Sequence, residues 1–153
     1  MLKSVLFVRG GPPQGAPADF GLLALRLLTG SFLMWETQDN ILSAERMAEF
    51  VGFVNHYGFI MPEFMAPLSV YAQFICGALI LLGAFTRAAS LVMVFNFIVA
   101  IAMVHWGGDF RNWWPALVLI FIPLHFALAG PGRWSVDAWL EKRAKPAEAG
   151  DPA

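Results

Sequence analysis

Charged side chains are scarce in this sequence of 153 residues, at 14% against ~25% in soluble proteins. Ten Lys and Arg stand against eleven Asp and Glu, and a net charge of −1 excludes a charge-driven nucleic-acid binder. A single cysteine leaves no internal disulfide and no Cys pair for redox or zinc chemistry. There is no HExxH pattern, no phosphate-cradling glycine loop, no Ser/His/Asp arrangement and no haem-binding pair. What the chain has in excess is apolar residues: 58% are hydrophobic, and counting its 14 Gly in place of its 2 Tyr gives roughly 66% against a usual ~45–50% for that set. That excess, in a length typical of one domain, excludes a disordered chain and points to an integral membrane protein.

Apolar run length decides the architecture, because a hydrocarbon core ~30 Å thick needs about 20 helical residues. Four stretches qualify. Phe20 to Trp35 is apolar apart from Arg26 and small polar residues, and reaches Ile41 only by passing Glu36 and Asp39. Ala66 to Thr86 carries no charge, Ala88 to Trp106 has only a terminal His105, and Asn112 to Gly130 has only His125. None alternates in the manner of a barrel strand, so all four read as helices. A soluble bundle would need a polar stripe on each helix, and Leu91 to Val104 offers only Asn96. The predicted fold is all-α: a membrane four-helix bundle with an extra interfacial amphipathic helix between spans one and two.

The flanks agree with these spans. Trp35, Trp106, Trp113, Trp114 and Trp134 fall at span ends, where an amphipathic ring suits the headgroup zone. One set of connections holds Lys3, Arg9, Arg87, Arg133, Lys142, Arg143 and Lys145, and the other holds Arg46 and Arg111. Seven cations against two place both termini in the cytoplasm of a bacterial inner membrane. No cleavable signal is evident, since Gly10 to Pro17 is a Gly/Pro-rich linker. The expected divisions are 1–19 as an amino-terminal cytoplasmic segment, 20–140 as the transmembrane domain and 141–153 as a disordered cytoplasmic tail.

The first connection carries its own helical signal. From Ser43, a capping residue, Met47, Phe50, Val51, Val54 and Tyr57 recur at helical spacing, with Gly58 and Pro62 as stops. This helix lies on the outer membrane surface or folds over the bundle mouth. Spans two and three are joined by the dipeptide Thr86-Arg87 and must be antiparallel neighbours. Gly130-Pro131-Gly132 stops span four, and Trp134 to Leu140 reads as a short interfacial helix with Ser135 near its start.

Five residues are candidates for ligand contact: Arg26, Gln73, Asn96, Glu36 and His105. An arginine inside a span is costly, on the order of 2.5–3.5 kcal/mol at mid-membrane. Arg26 therefore pairs inward within the bundle, contacts an anion or a quinone-like carbonyl, or snorkels to lipid phosphates. Thr29, Gly30, Leu33 and Thr37 share its face. Gln73 and Asn96 are neutral amides that fasten helices together or serve a ligand, and Gly77 permits close helix approach beside Gln73. Glu36, Asp39, His105, Asp109 and Arg111 gather at the outer ends of the spans as a polar rim. His105 and Asp109 are four residues apart, useful to a metal only if the helix continues through Gly107-Gly108; no metal site is expected. His125 reads as a structural hydrogen-bonding residue and Cys76 as a small buried one.

Four segments together resemble the DoxX family of four-span bacterial membrane proteins. They are Leu25-Arg26-Leu27 with Gly30; Gln73 to Gly77 leading into Leu82-Gly83-Ala84-Phe85-Thr86-Arg87-Ala88-Ala89; His105; and Gly130-Pro131-Gly132-Arg133-Trp134-Ser135-Val136-Asp137. The chain departs from the common family pattern in two places. Trp35-Glu36-Thr37-Gln38-Asp39-Asn40 stands where a His-Gly pair and a later Lys are common, and Gln73 stands where a glutamate is common. The resemblance implies membrane redox chemistry, since relatives are similar to subunits of thiosulfate:quinone oxidoreductase or to membrane components of oxidative-stress complexes. On that basis the expected role is the membrane subunit or anchor of a redox partner protein, with quinone or a lipid-like molecule as candidate ligand. The alternatives are a quinone-reducing subunit acting on a small sulfur anion, and a transporter of a hydrophobic solute working as a homo-oligomer.

Overall fold

The computed structural model describes residues 15–144, and the readings made on the linker, on Lys3 and Arg9 and on most of the tail lie outside them. Among the described residues there are six α-helices: α1 (Ala16–Leu42), α2 (Ala44–His56), α3 (Pro62–Leu82), α4 (Thr86–Ala100), α5 (Phe110–Ala129) and α6 (Val136–Ala144). α4 runs on into a π-helical turn over Ile101–His105. Four helical segments are long and apolar enough to cross a membrane: α1, α3, α5, and α4 taken on through the π-helical turn to Val104. They include α1, which at about 40 Å outruns a ~30 Å core. Glu36 and Asp39 both stand on this continuous helix, in the part nearest its end.

Local chemistry sets the breaks. Pro17 opens α1 where a missing N–H costs nothing, and Ser43 ends it in extended conformation while its Oγ accepts from Arg46 N at 3.3 Å. That one residue turns the chain into α2, the extra helix expected between spans one and two, which packs on α1 and α3. The turn between α3 and α4 differs from the expected Thr86-Arg87 dipeptide. Gly83 is left-handed at φ +71°, with Gly83 N donating to Ile80 O and Ala84 N to Leu79 O in a Schellman closure. The break therefore falls at Gly83 to Phe85, and Thr86 and Arg87 already belong to α4. α6 extends to Ala144, so the helix occupies the beginning of the stretch read as tail.

Packing joins α1 to α3, α3 to α4 and α4 to α5, while α1 meets α5 only slightly. α1 and α3 approach backbone to backbone. A Cβ on Gly30 would lie 2.6 Å from Gly77 O, and one on Gly77 would lie 3.0 Å from Gly30 O. Only small residues permit that crossing. Leu33, Ile80, Met93 and Phe126 fill the interior, and Leu28, Phe95 and Phe121 point outward and remain more than 60% exposed. Water would not tolerate so continuous an apolar exterior, and lipid does.

Candidate functional site

Two polar constellations stand inside this apolar body. The first gathers where α1 and α4 begin and α3 and α5 end, called here the hairpin end. The last carbonyls of any helix lack partners within it, and a cation at that end also meets the negative pole of the helix dipole. Arg26, 2% exposed, answers both needs for α3. Its Nε donates to Ile80 O at 3.0 Å and its Nη2 to Leu81 O at 2.9 Å. Nη1 donates to Pro131 O at 2.9 Å and Trp134 O at 2.8 Å, in the segment that follows α5. Of the three roles open to this arginine from sequence, the geometry is inward pairing, with backbone carbonyls as the partners. Four hydrogen bonds use most of the five N–H groups of a guanidinium.

The neighbouring residues complete this lock. Asp137 accepts from Phe85 N at 2.8 Å and Thr86 N at 3.0 Å, so each carboxylate oxygen meets one amide at the start of α4. Its own N–H donates to Gly83 O at 2.9 Å. Ser135 caps α6 by accepting from Ala138 N at 3.1 Å and donates its hydroxyl to Gly132 O at 2.7 Å. Asp19, buried at the start of α1, accepts from Arg133 N at 3.1 Å and lies 3.8 Å from Arg133 Nε. Arg87 Nη1 donates to Ala127 O at 2.8 Å and Leu128 O at 3.1 Å, closing the end of α5 as Arg26 closes that of α3. Gly83 has no room for a side chain, because a Cβ there would lie 2.6 Å from Arg26 Nη2 and 2.5 Å from Ser135 Cβ.

The second constellation is a seam of neutral groups between α3 and α4, near the middle of both. Gln73 Nε2 donates to Ser69 Oγ at 3.1 Å, and Ser69 Oγ donates to Asn96 Oδ1 at 2.9 Å. Gln73 and Asn96 are thus brought together through Ser69, and all three are half-buried. Seven residues along α3 separate Gln73 from Ile80, so the seam lies about 10 Å from the carbonyl that Arg26 holds. The five sequence candidates do not converge on one site. Glu36 is exposed on the last turns of α1, and His105 closes the π-helical turn, its side chain lying outside the described ones.

Asp109 plays a structural part, its Oδ1 accepting from Asn112 N at 3.1 Å and so capping α5. The helix breaks at Gly107 and Gly108, so His105 and Asp109 do not share a helical face. Among the described residues no three His, Cys, Asp or Glu side chains cluster as a metal would require. An open groove of about 430 Å3 runs along α1 and α3, lined by Ser31, Met34, Trp35, Gln38, Ile41, Leu42, Phe74 and Leu81. None of the five candidates lines it. Asp19, Ser69, Ser135 and Asp137 were missed as partners from sequence. Ser69 carried a usable signal, because Ser at i and Gln at i+4 share a helical face.

The fold and these constellations define a multi-pass membrane protein built on a helical bundle. The DoxX family model matches residues 21–106, more than half of the chain, and this protein belongs to the DoxX family. The chain is similar to the uncharacterized membrane protein Rv3486 of Mycobacterium tuberculosis, with 28% identity over 148 residues, covering 88% of this chain and 85% of that protein. No solved structure matches.

Proposed function

We propose that this protein is a non-catalytic membrane subunit that holds a lipid-like ligand, with an isoprenoid quinone as candidate, against the Gln73–Asn96 seam. The observation that carries this reading is the direction of hydrogen donation. Gln73 donates to Ser69 and Ser69 donates to Asn96 Oδ1, which leaves the Asn96 Nδ2 hydrogens and Gln73 Oε1 without partners among the described residues. An amide N–H in a medium of low dielectric constant is a good donor to a quinone carbonyl. Arg26 serves such a ligand indirectly, by fixing the helix ends, and Glu36 and His105 mark the mouth by which a headgroup enters. A redox partner protein is the expected companion, with self-association of the bundle as a second interaction.

Localisation in a bacterial inner membrane with both termini cytoplasmic belongs to the same proposal. Arg87, Arg133, Lys142 and Arg143 stand at the hairpin end, whereas Arg46 and Arg111 stand at the other. The test is purification of the full chain in mild detergent, followed by lipid extraction and mass spectrometry. Quinone near one per chain is expected, with loss in the Gln73→Leu, Asn96→Leu double variant. Absence of quinone from the native protein, or undiminished quinone in the double variant, contradicts the reading. Reporter fusions at the two ends test the topology separately.

A further inference from the structure

The hairpin-end lock fixes the position of α6 and turns a set of cations outward. Asp137 binds the amides of Phe85 and Thr86, so α6 starts at the level where α3 ends and α4 begins. Trp134 and Trp139 are about half exposed at this level. Tryptophan at the end of a span is the signature of the headgroup band. Beside them Arg133 keeps about half of its side chain in the open, and Lys142 and Arg143 are exposed. The Arg143 guanidinium carbon sits 3.9 Å from the centre of the Trp139 ring, which holds the charge against the aromatic face. Two neighbouring carboxylates are engaged in the lock. Asp137 holds two backbone amides, and Asp19 lies 3.8 Å from Arg133 Nε.

From this juxtaposition we infer an anionic-phospholipid site on α6. The lipid phosphate meets Lys142 and Arg143, and the glycerol and upper acyl chains meet Trp134 and Trp139. The match is one of charge and depth together. A phosphodiester complements the exposed Lys142 and Arg143, and its acyl chains lie where the two indoles meet the edge of the hydrocarbon. The inference does not depend on what the Gln73–Asn96 seam holds.

The full chain in mild detergent, titrated with phosphatidylglycerol or with phosphatidylcholine of the same acyl chains and followed by native mass spectrometry, tests the site. Phosphatidylglycerol is expected to bind and to raise the thermal midpoint, and phosphatidylcholine to do neither. Lys142→Ala with Arg143→Ala should weaken phosphatidylglycerol binding on the order of 20-fold, at roughly tenfold or less per cation removed. Lys142→Arg with Arg143→Lys should restore it. Equal binding of the two lipids overturns the inference, as does full phosphatidylglycerol binding by the double alanine variant. An equal rise in thermal midpoint from inorganic phosphate alone would also overturn it, because the site would then recognise the free anion. If the double alanine variant is unfolded before lipid is added, Trp139→Leu with the same titration decides: weaker phosphatidylglycerol binding supports the site and unchanged binding overturns it.

Discussion

The hairpin end and the seam are both polar and both membrane-embedded, yet they are built from opposite materials. At the hairpin end, ionised side chains meet backbone groups: Arg26 binds four carbonyls, Asp137 two amides and Arg87 two more carbonyls. In the seam, neutral side chains meet each other, with Gln73, Ser69 and Asn96 in one chain of two hydrogen bonds. The first arrangement satisfies groups that helix ends always leave orphaned, and its partners cannot be removed by mutation. The second satisfies only part of its own capacity and leaves donors for something else. A buried charge in this bundle thus serves the helix ends, whereas the amides of the seam keep hydrogen-bonding capacity unused.

Five substitutions at four positions sharpen or break this contrast. Arg26→Met should be the most damaging, because two buried and two part-buried carbonyls lose a charged donor; a loss on the order of 4 kcal/mol is expected in detergent unfolding. Arg26→Lys should recover only part of it, since an ammonium has three hydrogens and no planar fork. Next comes Gly83→Ala, at about 2–3 kcal/mol, from positive φ and overlap with Arg26 and Ser135. Asp137→Asn keeps one acceptor of two and should cost about 1 kcal/mol by the same assay. Gln73→Leu should cost ~0.5–1 kcal/mol or less, while reducing whatever small molecule co-purifies. A Gln73→Leu variant less stable than Arg26→Met would reverse the assignment of roles.

The sequence reached the spans because run length is a one-dimensional property, and it reached α2 because Ser43 and the spacing of Phe50 and Val54 are local. It also offered inward pairing as one role for Arg26, close helix approach at Gly77 and helix fastening as one role for both amides. Its limit was partnership. Arg26 and Trp134 are 108 positions apart, and no local pattern says that the carbonyls after α5 return beneath α1. Gly83 to Phe85 was read as the end of a span because Thr86-Arg87 looked like the break in polarity. The true break is set by a left-handed Gly83 and by Asp137 arriving from far along the chain. Glu36 and His105 read from sequence as part of an outer polar rim, and Glu36 does stand exposed on the last turns of α1.

Hydrogen–deuterium exchange on the full chain, comparing the native protein with Arg26→Met in one detergent, addresses the lock directly. Peptides covering 83–90 and 131–140 should be slow to exchange in the native protein and should lose protection together in the variant, with the segment around Ser69 and Gln73 little changed. Unchanged protection at both hairpin-end segments, or loss confined to the residues around Gln73, would show that Arg26 does not hold the helix ends together.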